Sequence, residues 1–437
     1  MKHPRSWLLG MVLVLPWFSG VPLSSQENAE VRQETIRLTA EDGRRLFAIY
    51  HYPAGGQPKT AILFMHPRGG NVTHFALQPL AKNGFGALGM GSRSMNRTWV
   101  HEELLLDVAA GVKFLKSRGV ERVILAGHSG GGSLLSFYQA QAETDPPNRV
   151  KETPAGDPPD LNRFDLPRAD GLITLNAAEG EGLHWTHHLD PSLSDETDPF
   201  SYDPSLDMYN PDNGFRVPPG ETKYSPEFLA RVEKAQQERG KKLLELAKSY
   251  IREQNYYRDQ MESPAFPMMT RKERLMIERR AQFERPMLLY RTRADVRYYD
   301  MSLDPSDRTP GHMSGPGKDG YRRSDLKNWM YGYPLSAPVS PRAFLSTLSI
   351  VSNAQMWKNL GKISVPVLVI NSSADSGIHP SEHQNAFDSA ASKDKEKVWI
   401  IGGEHGFQPE GRQSGKGDQQ EQLVNAITGW VKKRWPL

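Results

Sequence analysis

Cysteine does not occur anywhere in this sequence of 437 residues. Its absence excludes a cysteine nucleophile, a thiolate metal site, a disulfide and lipid attachment to cysteine within these residues. Any covalent chemistry that the chain performs must therefore use another side chain.

An excess of charge of either sign is also lacking. The chain has 54 Lys and Arg residues against 51 Asp and Glu residues, a formal net charge of +3. So small a value gives no argument for an anionic membrane as partner. No stripe of basic and aromatic residues indicates nucleic acid either, so we expect no nucleic-acid partner. With 38% hydrophobic and 24% charged residues, the composition is typical of a soluble globular protein.

Long apolar runs are scarce, and the clearest one lies near the start of the chain. Trp7–Phe18 is apolar but short for a membrane span, follows Lys2 and Arg5, and precedes several small residues. This pattern predicts a signal peptide over residues 1–25 and a periplasmic or secreted protein. An uncleaved anchor is the alternative. No later stretch has the length and apolarity of a second span, so we expect no stable membrane insertion after cleavage.

Residues 32–178 and 356–437 alternate strand-like and helix-like segments. The first part opens with a hairpin around Asp42-Gly43, a strong turn dipeptide. Short continuous apolar runs, such as residues 60–66, then alternate with amphipathic stretches, such as residues 101–119. Buried strands joined by helical crossovers form parallel sheets. We therefore predict an α/β fold, with a mostly parallel sheet flanked by helices.

Residues 179–355 interrupt this alternation. The first part is rich in Asp, Pro, Ser and Tyr, and a long helix follows, with Ser225 as its cap and Pro226 at its first position. A second helix is predicted over residues 270–284, and loop-rich sequence follows it. We interpret the whole stretch as a mainly helical cap inserted between two core strands.

The segment GHSGG, residues 127–131, surrounds one serine with glycines. An apolar strand ends at Gly127 and a helix begins just after Ser129. A sharp strand-to-helix turn exposes a nucleophilic hydroxyl and needs small residues two positions before and after it. A glycine-rich phosphate loop is the other interpretation, but the lysine of a P-loop is missing and no G-x-G-x-x-G is present.

This segment resembles the nucleophile elbow of the α/β-hydrolase family, and the resemblance covers the core but not the cap. The family orders its triad as serine, acid and histidine. The resemblance thus implies Ser129 as nucleophile, Asp375 in NSSADSGIHP as the acid, and His405 in GGEHGF as the general base. Glu179 and Glu181 are rival acids, because some members supply the acid after the preceding core strand.

The resemblance also implies an oxyanion hole. The backbone N–H of Gly130 supplies one donor, and the loop HPRGGN supplies the second. Pro67 replaces the usual glycine there and has no N–H, so the backbone N–H of Arg68 is the expected donor. His66 is an alternative base, although in the family this histidine usually braces the loop.

Two further features carry weaker signals. HWTHHLD offers His184, His187, His188 and Asp190 as metal ligands, but we interpret it as a loop near the site and predict no metal. The aromatic residues at 328–334, together with Tyr298 and Tyr299, either shape a substrate pocket or pack internally, and packing is the commoner explanation.

We therefore expect an exported serine hydrolase that cleaves a small-molecule carboxylic ester through an acyl-enzyme and needs no cofactor. The same triad also serves an amidase or peptidase, a lactonase, a C–C bond hydrolase or an acyltransferase, because fold alone does not decide the reaction. A non-catalytic binding protein on a hydrolase fold is the alternative of another class. The sequence indicates no oligomeric state.

Overall fold

A computed structural model of the chain describes residues 30–93, 99–311, 328, 338–410 and 415–435. The predicted signal peptide at residues 1–25 lies outside these ranges, as does all of the aromatic segment 328–334 except Asn328. Among the residues that the structure describes, no helix combines the length and apolarity needed to cross a membrane.

The first part of the chain builds most of the central sheet. The predicted hairpin around Asp42-Gly43 is present, with β1 and β2 as its strands. Helices alternate with the strands that follow. In chain order the elements are β1 (Val31–Thr39), β2 (Arg45–Pro53), β3 (Thr60–Phe64), α1 (Leu77–Lys82), β4 (Gly86–Met90), α2 (His101–Ser117), β5 (Arg122–His128), α3 (Gly130–Ala142) and β6 (Gly171–Leu175).

The second part begins with helices outside the main sheet and ends with its last two strands. The elements are α4 (Glu181–His188), α5 (Pro226–Glu262), α6 (Arg271–Gln282), β7 (Met287–Leu288), β8 (Pro338–Val339), a helical turn at Pro341–Ala343 that continues into the π-helical turn Phe344–Leu348, α7 (Met356–Leu360), β9 (Val367–Ser372), α8 (Pro380–Ser389), β10 (Lys395–Ile400) and α9 (Gln419–Arg434).

The main sheet has eight strands in the order β1-β2-β4-β3-β5-β6-β9-β10. β1 and β2 pair antiparallel, as do β2 and β4, and every other neighbouring pair is parallel. The prediction of a mostly parallel sheet is therefore confirmed. The carboxyl ends of β3, β5, β6, β9 and β10 consequently meet at one edge, where open α/β sheets place their sites.

Alternate side chains of the central strands pack on opposite faces of the sheet. Val123 and Leu125 of β5 join the core beneath α2 and α3, while Ile124 and Ala126 join the core beneath α1 and α9. Because a strand has a side-chain period of two, this burial on both faces explains the continuous apolar run in the sequence.

The described residues between β6 and α7 add no strand to the main sheet. Their longest element is α5, with 37 residues, and the Ser225 hydroxyl caps it by accepting the Phe228 N–H at 3.2 Å. Two apolar clusters bury its inner face, and the second also contains Tyr298 and Tyr299. These two tyrosines therefore pack internally, the commoner of the two explanations considered from the sequence.

A buried ion pair joins distant parts of this region. Asp190 accepts hydrogen bonds from Arg291 Nε at 2.8 Å and from Asn328 Nδ2 at 2.6 Å. Ser192 donates to the other carboxylate oxygen through its backbone N–H and its hydroxyl. Asp190 is 0% and Arg291 2% exposed, so each charge depends on its partner for solvation.

We expect Asp190→Ala to lower the free energy of unfolding by about 3–5 kcal/mol, because it leaves the Arg291 cation buried without its carboxylate. Urea denaturation followed by circular dichroism measures the change. Glu238→Ala is the matched control, since Glu238 is exposed and its contact with Lys234 is long, at 4.0 Å. Equal stabilities of the two variants would contradict a stabilising role for the buried pair.

Candidate active site

Ser129 lies at a sharp turn between β5 and α3. Its backbone angles are φ 55° and ψ −127°, in a region that a residue with a side chain rarely adopts. Its N–H donates to the Leu175 carbonyl at the end of β6, at 2.9 Å. The turn thus places the serine at the carboxyl edge of the sheet, directly before the N-terminus of a helix of 13 residues.

Close backbone contacts explain the glycines on either side of Ser129. A Cβ at Gly127 would lie 2.4 Å from the backbone carbon and oxygen of Gly131. A Cβ at Gly131 would lie 2.6 Å from the Met65 carbonyl oxygen, just past β3. Both positions exclude any side chain, as the sequence pattern predicted.

His405 and Asp375 meet at the same edge. His405 Nδ1 lies 2.8 Å from Asp375 Oδ2, and the Asp375 side chain is completely buried. Asp375 follows β9 and His405 follows β10, so neighbouring parallel strands deliver the two side chains. The rival acids contact other groups: Glu179 lies 3.9 Å from His187, and Glu181 pairs with Arg68.

The surroundings of Asp375 favour its charged form. Its second oxygen accepts the backbone N–H groups of Gly377 and Ile378, at 2.7 and 3.1 Å. Burial by itself raises the pKa of this carboxyl, but the charge on His405, its hydrogen bond and the two amides outweigh burial. The pKa of Asp375 therefore lies below its ordinary value, and the carboxylate accepts the His405 Nδ1–H, which leaves Nε2 as the basic nitrogen.

Two side chains hold the backbone of His405. Its carbonyl oxygen lies 2.8 Å from His128 Nε2 and 2.9 Å from Asn176 Nδ2. His128 directly precedes Ser129, and Asn176 directly follows β6. The segment that carries His405 is consequently fastened to the turn that carries the serine.

The hydrogen bonds of His128 fix its tautomer. The Ala76 N–H donates to His74 Nδ1 at 3.2 Å, so His74 Nε2 must carry the hydrogen that reaches His128 Nδ1, also at 3.2 Å. His128 Nε2 then carries the hydrogen donated to the His405 carbonyl. Both rings are neutral in this arrangement. Burial, with a smaller contribution from His405, lowers the pKa of His128 to about 4, and burial keeps the pKa of His74 well below its usual value.

The predicted second oxyanion donor makes a hydrogen bond within its own loop. The Arg68 N–H donates to His66 Nδ1, at 3.0 Å. The role of this N–H in an oxyanion hole stays a prediction, and it requires the N–H to leave this bond for a substrate oxygen. His66 braces the loop, as the resemblance implied, and burial keeps its pKa well below the ordinary value.

The first five residues of HWTHHLD, 184–188, lie in the helix α4 and not in the predicted loop. Trp185 and Leu189, four residues apart, pack with Phe344 in one apolar cluster, and this packing outweighs the polar composition of the segment. His184 Nδ1 lies 3.1 Å from Glu382, which binds α4 to α8. Within the described ranges, no group of three or more His, Asp or Glu side chains is arranged to hold a metal ion.

Sequence reasoning did not find several residues of this edge. His128 stood inside the serine motif without an assigned role, because its partner is 277 positions away. His101, at the start of α2, faces Glu181 at 3.5 Å, and Asn176 has a positive φ of 40°. The one local signal for Asn176 was its position directly after a buried strand, because asparagine adopts a positive φ more readily than most residues.

Comparison with known proteins yields distant structural relatives. The esterase domain of a Rhodothermus marinus protein is 12% identical, covers 92% of this chain and 99% of its own, and has a TM-score of 0.41. DcsB, in complex with its substrate analogue, is 13% identical, with coverages of 92% and 100% and a TM-score of 0.47. The alpha/beta hydrolase GrgF from Penicillium sp. sh18 is 15% identical, with coverages of 93% and 100% and a TM-score of 0.46.

No protein-family model matches the sequence, and no curated protein does. The fold is identified from the topology of the chain itself. The strand order, the parallel core and the helices on both faces confirm the predicted α/β-hydrolase fold.

We expect Gly131→Ala to destabilise the protein and to displace the loop after β3, because the new Cβ meets the Met65 carbonyl oxygen. Overpacking of this kind costs about 1–3 kcal/mol. Gly429→Ala in α9 is the matched control, since its Cβ meets nothing within 4 Å and alanine favours a helix. Thermal unfolding should separate the two variants, and equal melting temperatures would contradict the close contact.

The low pKa of His128 predicts a loss of stability in acid. The folded state holds this ring neutral down to about pH 4, whereas the unfolded chain takes up its proton near 6.5. The stabilisation is complete above pH 6.5 and declines as the pH falls towards 4. We expect His128→Gln, which keeps a donor and does not titrate, to lose less stability than the wild type between pH 7 and 4.5 in urea denaturation. Parallel losses would show that His128 does not titrate in this way.

Proposed function

We propose that this chain is an exported serine hydrolase that cleaves a carboxylic ester with Ser129, His405 and Asp375. The observation that carries the proposal is the 2.8 Å hydrogen bond from His405 Nδ1 to the buried Asp375, at the sheet edge that presents Ser129 on its strained turn. Asp375 fixes the tautomer in which His405 Nε2 can take a proton.

In the first half of the reaction His405 accepts the Ser129 proton while the oxygen attacks the ester carbonyl. The tetrahedral intermediate collapses when His405 gives that proton to the departing alcohol, leaving an acyl group on Ser129. Water, activated by the same imidazole, then releases the acid. Each proton returns to its starting position, so the cycle needs no cofactor.

In the proposed reaction, backbone N–H groups surround the position where the negative oxygen of the tetrahedral intermediate forms. The Gly130 backbone N–H opens α3 directly after the nucleophile, and the helix N-terminus adds a partial positive charge. The second donor belongs to the loop after β3, where the Arg68 N–H would have to exchange its bond with His66 for one with the substrate.

Labelling with a fluorophosphonate probe tests the proposal on the full-length protein. Wild type should label and Ser129→Ala should not. His405→Ala and Asp375→Asn should lower kcat on a short-chain ester by about a thousandfold or more, because each removes a member of the triad. Wild-type circular dichroism spectra would show that the variants remain folded.

His51→Ala is the matched histidine control, since His51 lies on β2, on the antiparallel side of the sheet. It should retain its activity. Absence of labelling in folded wild type would overturn the proposal and favour a binding protein. Labelling without ester turnover, together with turnover of an amide or a lactone, would support the triad and show that it cleaves a bond other than an open-chain ester. If exported protein still carried residues 1–25, this segment would be an uncleaved anchor and not a cleaved signal peptide.

A further inference from the structure

A buried cluster of Arg68, Glu181 and His101 lies beside the candidate site. Arg68 Nη2 is 3.2 Å from Glu181 Oε1, and His101 Nε2 is 3.5 Å from Glu181 Oε2. The His101 side chain is 0% exposed and that of Glu181 8%, whereas the Arg68 side chain is 35% exposed. Glu181 and His101 are thus buried, whereas the cationic Arg68 side chain reaches solvent.

This cluster touches the residue that follows the nucleophile. A Cβ at Gly130 would lie 2.2 Å from Glu181 Oε1, so the carboxylate is in contact with the Gly130 backbone. Arg68 itself follows β3, the neighbour of β5 in the sheet. An anionic carboxylate alone would disfavour a developing oxyanion here, so its charge has to be compensated.

Hydrogen bonding places a hydrogen on His101 Nδ1, because this nitrogen lies 3.1 Å from the Ser346 carbonyl oxygen, which can only accept. On the other side of the ring, His101 Nε2 faces Glu181 Oε2 at 3.5 Å, and neither atom has a hydrogen-bond partner among the described residues. His101 therefore lines the buried side of Glu181, opposite Arg68.

The Arg68 guanidinium compensates the charge of the Glu181 carboxylate that lies against Gly130. It is also the part of the cluster that reaches solvent, because its side chain is 35% exposed.

The Arg68 guanidinium retains hydrogen-bonding capacity. Of its three nitrogens only Nη2 has an acceptor among the described residues, which leaves Nε and Nη1. The Trp99 ring packs against it with its centroid 5.4 Å from Cζ, so the planar group is held between an aromatic surface and Glu181. A fixed, partly exposed guanidinium with unused donors is suited to bind a carboxylate.

We propose that Arg68 recognises a carboxylate on the substrate, so that the preferred esters are half-esters of dicarboxylic acids. The inference rests on the function proposed above and adds its substrate class. The unused donors of the guanidinium suit one carboxylate, and the contact of its partner Glu181 with Gly130 keeps Arg68 beside the residue that follows Ser129.

Pairs of ethyl esters that differ in one charge test this inference. Monoethyl succinate is compared with ethyl butanoate, monoethyl glutarate with ethyl pentanoate, and monoethyl adipate with ethyl hexanoate, by ethanol release. The measured quantity is the ratio of kcat/KM for the charged ester to that for the neutral ester. The wild type should show its highest ratio at one chain length, which reports the distance from Arg68 to the scissile carbonyl.

Arg68→Gln should lower that highest ratio about tenfold or more, the usual effect of losing one charge-assisted hydrogen bond. Arg68→Lys should keep part of the ratio, because it keeps the charge. Arg122→Gln is the matched control: Arg122 begins β5 at the opposite edge and pairs with Asp170, so its loss removes one charge without changing the ratio.

Three results would overturn the inference. An unchanged ratio in Arg68→Gln would show that the guanidinium does not bind the substrate carboxylate. An equal loss on charged and neutral esters would assign Arg68 to the oxyanion or to loop structure instead. Preference for neutral esters by a wild type that labels at Ser129 would refute the substrate class alone, whereas absence of both labelling and turnover would refute the hydrolase function as well.

Discussion

The contact between β5 and α3 at Gly127 and Gly131 is the constraint on which the candidate site depends. The two backbones approach so closely that Gly127 has no space for a Cβ, and the Met65 carbonyl oxygen after β3 leaves none at Gly131. This approach forces the chain through a left-handed turn at Ser129, and the Leu175 carbonyl of the next strand holds that turn. Backbone packing in the core therefore places Ser129 at the carboxyl edge of the sheet.

Residues next to Ser129 and β6 also hold His405 in place. His405 lies on the segment after β10, the last strand of the sheet, and its carbonyl is bound by His128 and Asn176. One of these residues adjoins the serine and the other ends the strand beside it. Hydrogen bonds that span neighbouring strands thus hold the backbone of His405 next to Ser129, and Asp375 orients the imidazole through Nδ1.

The sequence predicted those parts of the structure that depend on local patterns. Continuous apolar runs such as β5 indicated strands buried on both faces, and the glycine spacing around Ser129 indicated the turn. Asp375 came from the resemblance to a family and the order of its triad, and the structure pairs it with His405.

The failures arose where distant packing decides the outcome. The segment from His184 is a helix because Trp185 and Leu189 pack against a π-helical turn more than a hundred residues later in the chain. The bond from the Arg68 amide to His66 is local, but it depends on the ring orientation of His66, which the sequence pattern does not specify. The pairing of Glu181 with Arg68 and His101 joins three separate segments, and no local pattern encodes it.

The row of hydrogen bonds from Ala76 through His74 and His128 to the His405 carbonyl has one further consequence. It begins at a backbone amide and ends at a backbone carbonyl, and neither group exchanges protons at neutral pH on the timescale of turnover. Three imidazoles lie close together behind Ser129, yet the row of bonds bypasses the third ring, because it ends at the His405 backbone carbonyl. The first two rings therefore link the segments of the site without passing a proton to the His405 imidazole.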